Sequence, residues 1–353
     1  MIQTKIIKVN PKIIETAALK EAADLLEQGG LVAFPTETVY GIAANLLNKT
    51  AIERLKKIKE RPENKNYSVH VGSKGDIEKY AVNVLPRAHK VIDRFWPGPL
   101  TVILAAPDGK SVGLRMPKND IALNLLNRVD FPVVAPSANR PGHPPACDGE
   151  KASRELNGLI DLVLDGGPTE FKAESTVLDA RVLPFTVLRE GCLKKEDVLA
   201  VANQKTVLFV CTGNSCRSVM AEYLLKKKLN DMGRHDVEIV SAGTFAFFGM
   251  SPTRETLKLV GGVGMDASAH RAQKVSPELL KKSDLILVME KRHYEDVLHL
   301  CPEGRDRVHL LGEFVKFDPA DVEVPDPIGK SEEFYKMSFD KIQKAIEKLG
   351  EMI

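Results

Sequence analysis

Short apolar runs alternate with amphipathic stretches along the whole chain. Apolar runs bounded by Gly or Pro predict buried strands, whereas apolar residues spaced three and four apart predict helices. In the first 200 residues the predicted strands are "GGLVAFP", "TVILAA", "PVVAPS", "IDLVLDGG" and "FTVLREG", and the predicted helices include "AALKEAADLLEQ" and "AIERLKKIKE". This alternation predicts an α/β fold in which helices cover a sheet.

A second cycle of strands and helices begins after "REGCLKKEDVLAVANQK". It reads as strand "TVLFV", helix "SVMAEYLLKKKLNDMG", strand "VEIVSAG", helix "TRETLKLVGGVG", strand "DLILVME" and a last helix "SFDKIQKAIEKLGEMI". A chain of 353 residues is longer than one hydrophobic core usually organises. We therefore predict two domains, residues 1–203 and 204–353, and no repeat relates them.

Composition and charge limit the kinds of partner. Hydrophobic residues make up 43% and charged residues 28% of the chain, which is typical of a folded protein. The net charge is +2, and the basic and acidic residues balance in both halves, so any anion site must be local and no membrane partner is expected. The start "MIQTKIIKVNPK" lacks the apolar core of a signal peptide, which predicts a cytoplasmic protein. Five cysteines in so long a chain predict reduced thiols.

The stretch "VLFVCTGNSCRS" runs from an apolar strand through a loop into a predicted helix. Backbone N–H groups at such a helix start converge on an anion, and they also lower the pKa of a thiol at the head of the loop, here Cys211. Arg217 can grip two phosphate oxygens, and Ser218 can donate a hydrogen bond to the thiolate. The alternative is that Cys211 and Cys216 are small buried side chains and Arg217 is a surface charge.

The loop itself has residues suited to a phosphate. Gly213 lets the backbone approach closely, and Asn214 tolerates a left-handed conformation. A leaving group expelled from phosphorus needs a proton, and the carboxylate that supplies it can then activate water. The predicted phosphate loop consists of Thr212, Gly213, Asn214, Ser215 and Cys216.

Residues 205 to 353 resemble the low-molecular-weight protein phosphatase family. The resemblance is carried by "CTGNSCRSVMAE", "SAGT", "GMDASAHRAQKV", "DLILVM" and "VPDP", in the family's order. It implies a doubly wound parallel sheet, a cysteine-dependent hydrolysis of protein phosphoarginine or phosphotyrosine without a cofactor, and Asp326 as the general acid. It also implies that Cys216 can form a reversible disulfide with Cys211 under peroxide.

Two positions bear on the substrate of this domain. Tyrosine-directed members usually carry an aromatic residue after Asp-Pro, whereas this chain has Ile328 and Gly329. Ser215 offers a hydroxyl that can accept a hydrogen bond from a guanidinium leaving group, which favours phosphoarginine. Two alternatives are an anion-binding scaffold and an arsenate reductase, although the latter needs two further cysteines downstream of the loop, where this domain offers only Cys301.

The first half carries two anion-binding patterns of its own. In "LVAFPTETVYGIAAN" an apolar strand is expected to deliver Thr36 and Thr38 to the start of a helix, where N–H groups and hydroxyls suit an anionic or amino-acid ligand. The alternative is an ordinary helix cap. In "KIKERPENKNYSVHV" the residues Lys59, Arg61 and Lys65 crowd a helix end just before a strand with His70, an arrangement that suits a triphosphate.

With "FWPGPLTVIL", "GLRMP", "APSANRPG", "ESTVLD" and "VLREG", these patterns resemble the threonylcarbamoyl-AMP synthase (YrdC-like) family over residues 10 to 195. The resemblance implies a twisted mixed sheet with helices and an ATP-dependent condensation of L-threonine with bicarbonate for tRNA modification. Mg²⁺ would enter with ATP, and partner proteins of tRNA modification are implied. The implied nucleotide ligands are Lys59, Arg61, Ser137, Asn139, Ser175 and Arg189, and those nearer threonine or carbamate are Thr36, Tyr40, His70 and Arg115.

Two departures from that family concern the nucleotide side. Members usually read Pro-Leu where this chain has Asn66 and Tyr67, and "GPTEFKAEST" replaces a glycine-rich approach to the Ser-Thr pair. The bulk of Phe171, Lys172 and Glu174 is therefore expected to alter ATP affinity. The alternative for this half is an RNA-binding module without turnover, which the balanced charge disfavours.

Overall fold

The computed structural model describes residues 3–62 and 67–353, so Lys65 and Asn66 lie outside the described residues. Contacts divide the chain into two compact units, Met1–Ala202 and Asn203–Ile353, which are called unit 1 and unit 2 below. Among the described helices, none has both the length and the apolar character needed to cross a bilayer.

The elements of unit 1 alternate along the chain. Its strands are β1 (Lys5–Lys8), β2 (Val32–Phe34), β3 (Gly41–Asn45), β4 (Val69–His70), β5 (Leu100–Ala105), β6 (Ser111–Arg115), β7 (Val133–Val134), β8 (Leu162–Asp165), β9 (Thr176–Asp179) and β10 (Thr186–Arg189). Its helices are α1 (Thr16–Glu27), α2 (Lys49–Lys59), α3 (Ile77–Tyr80), α4 (Pro86–Phe95), α5 (Asp120–Leu126), α6 (Gly149–Leu156) and α7 (Lys195–Asn203), the last of which reaches the unit boundary.

The strands of unit 1 form one mixed sheet in the order β1-β8-β2-β3-β7-β4-β6-β5-β9-β10. Pairs such as β1 with β8 and β5 with β9 are parallel, whereas β2 with β3 and β5 with β6 are antiparallel. Both faces are covered, because Ala33 of β2 packs into one apolar cluster while its neighbours Val32 and Phe34 pack into another. The predicted mixed α/β fold of this half is confirmed.

The segment after β2 was expected to begin a helix, and that prediction is wrong. Residues 35–40 form a turn, and β3 then pairs antiparallel with β2. Thr36 shapes the turn, since its Oγ1 donates to the Val39 carbonyl at 2.6 Å and accepts from the Thr38 amide at 3.2 Å. The run "GIAAN" is buried at every position, and five residues suit a strand that is covered on both faces rather than a helix.

Unit 2 contains four strands and six α-helices in its described residues. The strands are β11 (Lys205–Cys211), β12 (Val237–Gly243), β13 (Leu285–Val288) and β14 (Val308–Leu310). The helices are α8 (Arg217–Asp231), α9 (Arg254–Gly262), α10 (Pro277–Lys282), α11 (Lys291–Leu300), α12 (Leu311–Phe314) and α13 (Glu332–Met352).

All four strands of unit 2 are parallel, in the order β12-β11-β13-β14. Along β11, Phe209 and Cys211 pack on the face that also holds residues of α8 and α13. Leu208 and Val210 pack on the opposite face with residues of α10 and α11. Helices therefore cover both faces, and the predicted doubly wound parallel sheet is confirmed.

Candidate active sites

Unit 1 contains a cavity of about 540 Å³ at which the sequence-predicted residues meet. Of the ten residues that the sequence assigns to nucleotide, threonine or carbamate, nine line it: Thr36, Tyr40, Lys59, Arg61, His70, Arg115, Ser137, Ser175 and Arg189. They come from strand ends, turns and the end of α2, far apart in sequence. The tenth, Asn139, lies behind the lining.

Lys59, the last residue of α2, is fixed by acceptors from the loop after β7. Its Nζ donates to the Ser137 carbonyl at 3.0 Å, the Asn139 carbonyl at 2.8 Å and the Asn139 Oδ1 at 3.0 Å. Burial lowers the pKa of Lys59 to about 8. Asn139 therefore contributes to the cavity indirectly, by holding the ammonium group in place.

Arg61 follows the helix end and stacks on an aromatic side chain. Its guanidinium carbon lies 4.3 Å from the centre of the Tyr67 ring, within the range of a cation–π interaction. Tyr67 is buried and lines the same cavity. Its aromatic ring, at a position where the family usually has leucine, thus orients one of the predicted nucleotide-binding cations.

Arg115, at the end of β6, is the buried cation of the cavity. Its Nη2 donates to Glu37 Oε1 at 2.9 Å and to Thr38 Oγ1 at 2.7 Å, and Glu37 also accepts from the Lys118 amide at 3.0 Å. The pairing fixes the guanidinium beside Thr36, as a buried charge requires. Sequence reasoning missed Glu37, although a charged residue between two threonines in an apolar segment was a usable signal.

His70, the last residue of β4, is an uncharged member of the lining. Burial and the nearby charge of Arg115 lower the pKa of His70 to about 3, so its imidazole is neutral at pH 7. Among the described residues its Nδ1 has no hydrogen-bond partner, and neither has the Nε of Arg115. Buried polar atoms usually have partners, so the unpaired atoms mark a polar region of this wall.

Tyr40 lines the cavity with its ring, but its hydroxyl is already hydrogen-bonded to the backbone after β8. The hydroxyl donates to the Gly167 carbonyl at 2.8 Å and accepts from the Gly166 amide at 3.1 Å. Burial raises the pKa of Tyr40. The side chain therefore shapes the cavity wall, and its polar end is bound to the protein.

Ser175 and Arg189 form the side of the cavity next to β9 and β10. Ser175 Oγ lies 2.9 Å from Thr101 Oγ1, and Arg189 Nη2 donates to the Ser175 carbonyl at 2.9 Å. Arg189 also forms an ion pair of 3.0 Å with Glu174, which lines the cavity. Of the three bulky residues that the sequence places here, Phe171 and Lys172 are not in the lining, so only Glu174 affects it.

In unit 2 a short loop connects the end of β11 to the start of α8. Cys211 ends β11 and Arg217 begins α8. Among the described residues, the amide groups of positions 212–216 find no acceptor. Asn214 has a φ of 51°, the left-handed conformation that lets the chain turn. Such a turn of free N–H groups at a helix start is an anion-binding arrangement.

The thiol of Cys211 lies at the floor of that loop. Cys211 is 2% exposed, and its Sγ is 2.9 Å from Ser218 Oγ, as the sequence predicts for a hydroxyl that stabilises a thiolate. Asn214 Nδ2 donates to Ser218 Oγ at 3.1 Å and to Ser241 Oγ at 2.8 Å, and Asn214 Oδ1 accepts from the Gln273 amide at 2.9 Å. This buried network fixes the hydroxyl next to the sulfur.

Arg217, at the start of α8, is buried and is held in place by two acidic side chains. It forms ion pairs with Asp326, at 2.5 Å, and with Glu290, and it donates to the Val324 carbonyl at 3.0 Å. The predicted nucleophile, phosphate-binding arginine and general acid thus belong to one site. Glu290 was missed, although it lies two residues after β13 at the same carboxyl edge of the parallel sheet as Cys211.

Sequence reasoning also missed a histidine and a second arginine around Thr212. The Thr212 hydroxyl is 3.2 Å from Arg217 Nη2, 3.1 Å from Arg292 Nη2 and 2.9 Å from His293 Nε2. Guanidinium groups only donate, so the hydroxyl proton points to His293. Burial and the neighbouring charge of Arg217 lower the pKa of His293 to about 4, in agreement with a neutral ring that accepts at Nε2.

The remaining cysteines of unit 2 are free thiols. Cys216 Sγ lies 3.5 Å from the Tyr335 hydroxyl, and the disulfide between Cys216 and Cys211 stays a prediction. Cys301 is buried, and burial together with Glu303 raises its pKa to about 11, which disfavours a thiolate at neutral pH. Among the described residues, no cluster of three His, Cys, Asp or Glu side chains is arranged to hold a metal ion.

Unit 1 is an α/β domain with a cavity lined by several cationic side chains, and comparison with known proteins gives its family. A family model described as "Telomere recombination" (Sua5/YciO/YrdC) matches residues 24–191. A Mycobacterium tuberculosis protein, provisionally named a threonylcarbamoyl-AMP synthase, is 36% identical over 189 residues, which are 51% of this chain and 87% of that protein. The chain therefore belongs to the Sua5/YciO/YrdC family.

Longer relatives extend beyond the shared domain. The threonylcarbamoyl-AMP synthase of Pyrococcus abyssi is 36% identical over 210 residues. The match covers 57% of this chain and 62% of that protein. The chain thus spans less than two thirds of the length of this relative. A crystal structure of P. abyssi Sua5 complexed with L-threonine is similar at a TM-score of 0.54 and 26% identity, covering 81% of this chain and 100% of that one.

Unit 2 matches a second family. The model described as low molecular weight phosphotyrosine protein phosphatase covers residues 206–353. A low-molecular-weight protein tyrosine phosphatase structure from T. tengcongensis is 37% identical and covers 42% of this chain and 100% of that chain, at a TM-score of 0.40. On the family-model matches, the chain joins a Sua5/YciO/YrdC domain to a domain of the low-molecular-weight phosphatase family.

Proposed function

We propose that unit 1 condenses L-threonine, bicarbonate and ATP to L-threonylcarbamoyladenylate and diphosphate, a step in tRNA modification. The observation that carries the proposal is the single cavity lined by Lys59, Arg61, Arg115 and Arg189 together with hydroxyls from turns. Its cations suit a triphosphate. Membership of the synthase family and the L-threonine complex of P. abyssi Sua5 support the choice of substrates.

In the proposed reaction the amine of threonine combines with bicarbonate, water leaves, and a carbamate oxygen attacks the α-phosphorus of ATP. The new P–O bond forms as the bond to the β-phosphate breaks, and diphosphate departs with the Mg²⁺ that entered with ATP. No covalent bond to the protein is needed. Lys59 and Arg61 neutralise charge on the phosphates, and the neutral His70 and buried Arg115 orient the smaller substrate, since positioning and electrostatics dominate such transfers.

The direct test is release of diphosphate by the purified chain. Release is expected only when L-threonine, bicarbonate and MgATP are all present, and Lys59→Met is expected to lower kcat/KM by about a hundredfold because one fixed charge at the phosphates is lost. Threonine-independent behaviour, with RNA binding that weakens steeply with salt, would instead support an RNA-binding module.

We propose that unit 2 hydrolyses phosphorylated protein through Cys211. The observation that carries this proposal is the convergence of the Cys211 sulfur, Arg217 and Asp326 on a loop whose amides find no acceptor in the described part of the chain. The sulfur attacks phosphorus while the leaving group takes a proton from Asp326. The Asp326 carboxylate then accepts a proton from water, which attacks the phosphocysteine and releases phosphate and thiolate.

Within that activity we propose a preference for phosphoarginine. The support is Ser215, a hydroxyl in the loop, and the absence of an aromatic residue at Ile328, which is 55% exposed after Asp-Pro. The guanidinium group of phosphoarginine can donate to the Ser215 hydroxyl, whereas the ester oxygen of phosphotyrosine carries no hydrogen and cannot.

The phosphatase proposal is tested by turnover of matched substrates. Hydrolysis of an aryl phosphate is expected in the native chain and to be lost in Cys211→Ser. Side-by-side turnover of one protein carrying phosphoarginine or phosphotyrosine measures the preference. Ser215→Ile is expected to lower the ratio for phosphoarginine at least tenfold, with Ser215→Thr as the control that keeps the hydroxyl. An unchanged ratio in Ser215→Ile would contradict the preference.

A further inference from the structure

Glu174 is the one acidic side chain in the lining of the unit 1 cavity, within the described part of the chain. Its Oε1 lies 3.0 Å from Arg189 Nη1. Burial lowers the pKa of Lys59 to about 8, and the negative charge of Glu174 opposes that shift. A carboxylate therefore partly neutralises the cationic wall that the proposed function assigns to a triphosphate.

The main chain of Glu174 is fixed by contacts with the segment around Gly191, whereas its side chain is held by an exposed ion pair. The Glu174 carbonyl accepts from the Cys192 amide at 3.0 Å, and a Cβ on Gly191 would lie 2.2 Å from that carbonyl oxygen, so the two segments are in close contact. The side chains of Glu174 and Arg189 are 42% and 43% exposed. An ion pair this exposed contributes little stability, so the carboxylate can leave Arg189 at low cost.

We propose that Glu174 is a built-in counter-anion that pairs with Arg189 and is displaced by the phosphates of the incoming nucleotide. The inference rests on the proposed function of unit 1. Glu174 thereby weakens the binding of ATP and, equally, of the product diphosphate, which must leave before the next turnover. A role as a metal ligand fits less well, because Arg189 already holds the carboxylate and no second carboxylate lines the cavity among the described residues.

The test compares Glu174→Gln with the native chain by calorimetric binding of three probes: ATP with Mg²⁺, ATP with EDTA, and inorganic diphosphate. We expect Glu174→Gln to lower the Kd of all three by about two- to fivefold, since the cations no longer share their charge with a competing carboxylate. Glu170→Gln, an exposed carboxylate of the same segment that does not line the cavity, is the matched control and is expected to change none of them.

A second variant separates the counter-anion from a general charge effect. If Glu174 acts through Arg189, the gain from Glu174→Gln should shrink when it is made in the background of Arg189→Gln. An unchanged or higher Kd in Glu174→Gln would overturn the inference. If only the binding of ATP with Mg²⁺ became weaker, Glu174 would be a metal ligand instead. If the native chain bound neither ATP nor diphosphate, the proposed function would be rejected together with this inference. If the native chain binds them and Glu174→Gln has the same Kd values, the inference alone is rejected.

Discussion

Two buried histidines, one in each unit, lie beside arginines and carry no charge at neutral pH. His70 and His293 have pKa values lowered to about 3 and about 4, in each case by burial first and by an arginine second. A neutral imidazole can accept as well as donate a hydrogen bond, which a protonated ring cannot. For His293 the hydrogen bond with Thr212 depends on that neutrality.

The lowered pKa of His70 predicts a measurable loss of stability in acid. The unfolded chain binds a proton at His70 below about pH 6.5, whereas the folded chain does not bind it until about pH 3. The stabilisation is therefore complete above pH 6.5 and lost as the pH falls towards 3. At pH 5 the free energy of unfolding of unit 1 should fall by about 2 kcal/mol more in the native chain than in His70→Gln.

Denaturant unfolding between pH 5 and 8 measures this difference. The signal can be the fluorescence of Trp96, the single tryptophan of the chain, which is buried in unit 1. His143→Gln, at an exposed position of the same unit, is the control. Parallel pH profiles for the native chain and His70→Gln would show that His70 does not have the assigned environment.

At the scale of elements, the loop of unit 2 depends on how closely β12 approaches it. Cys211 and Gly243 are partners in the parallel pairing of β11 and β12. A Cβ on Gly243 would lie 2.4 Å from the Thr212 carbonyl oxygen and 2.9 Å from the Asn214 amide nitrogen. The close approach of the loop thus requires the glycine of "SAGT". The sequence shows the glycine, but only the structure shows why a larger residue would not fit.

Gly243→Ala should therefore displace the phosphate loop without unfolding the unit. We expect kcat/KM for an aryl phosphate to fall by about a hundredfold, because misplacement of about 1 Å disturbs the alignment of nucleophile and phosphorus. Gly261→Ala in α9 is the matched control, since its added Cβ meets nothing within 4 Å, and it should keep near-native activity. Native activity in Gly243→Ala, with circular dichroism unchanged, would show that the loop does not require this contact.

The elements that sequence predicted well are those with a strong period or a continuous buried run. Helices α1 and α2 and strands β5, β8, β11 and β13 lie where the pattern places them. The segment after β2 was misread because Thr36 bonds its own turn rather than capping a helix. A short strand such as β14, of three residues, carries too few positions for a period to be detected.

The candidate site residues also fall into two groups: those that a sequence motif identifies and those that only the folded structure brings together. Cys211, Arg217 and Asp326 were identifiable because each belongs to a motif with a chemical role. Glu290, which pairs with Arg217, and His293, which is hydrogen-bonded to Thr212, became visible only once parallel strands and the loop were placed in space. Contacts between segments that are distant in sequence are set by tertiary packing, which a local pattern does not record.

At the scale of the whole molecule, each unit has its own hydrophobic core on both faces of its own sheet. Each unit also contains a complete set of the residues its proposed chemistry needs. Two independent cores predict two separable unfolding transitions.

Ligands should therefore stabilise the two units separately. ATP binds only the native state of unit 1 in this account, so at about a hundredfold excess over Kd it should stabilise that unit by about 2.7 kcal/mol and raise the Trp96 transition by about 5–10 °C. Inorganic phosphate should raise the other transition, followed by circular dichroism after unit 1 has been assigned. A Trp96 transition that ATP leaves unchanged, or a second transition that phosphate leaves unchanged, would contradict the assignment of one anion site to each unit.

The most direct test of the central claim is a crossed measurement of the two reactions on one chain. Formation of ¹³C-labelled threonylcarbamoyladenylate from ¹³C-bicarbonate and release of phosphate from a phosphorylated protein are followed in the native chain, Lys59→Met and Cys211→Ser. Two separate phosphorus-binding sites predict that each variant loses one product and keeps the other at near-native rate. Loss of both products in either variant, or labelled adenylate at the native rate in Lys59→Met, would contradict the account.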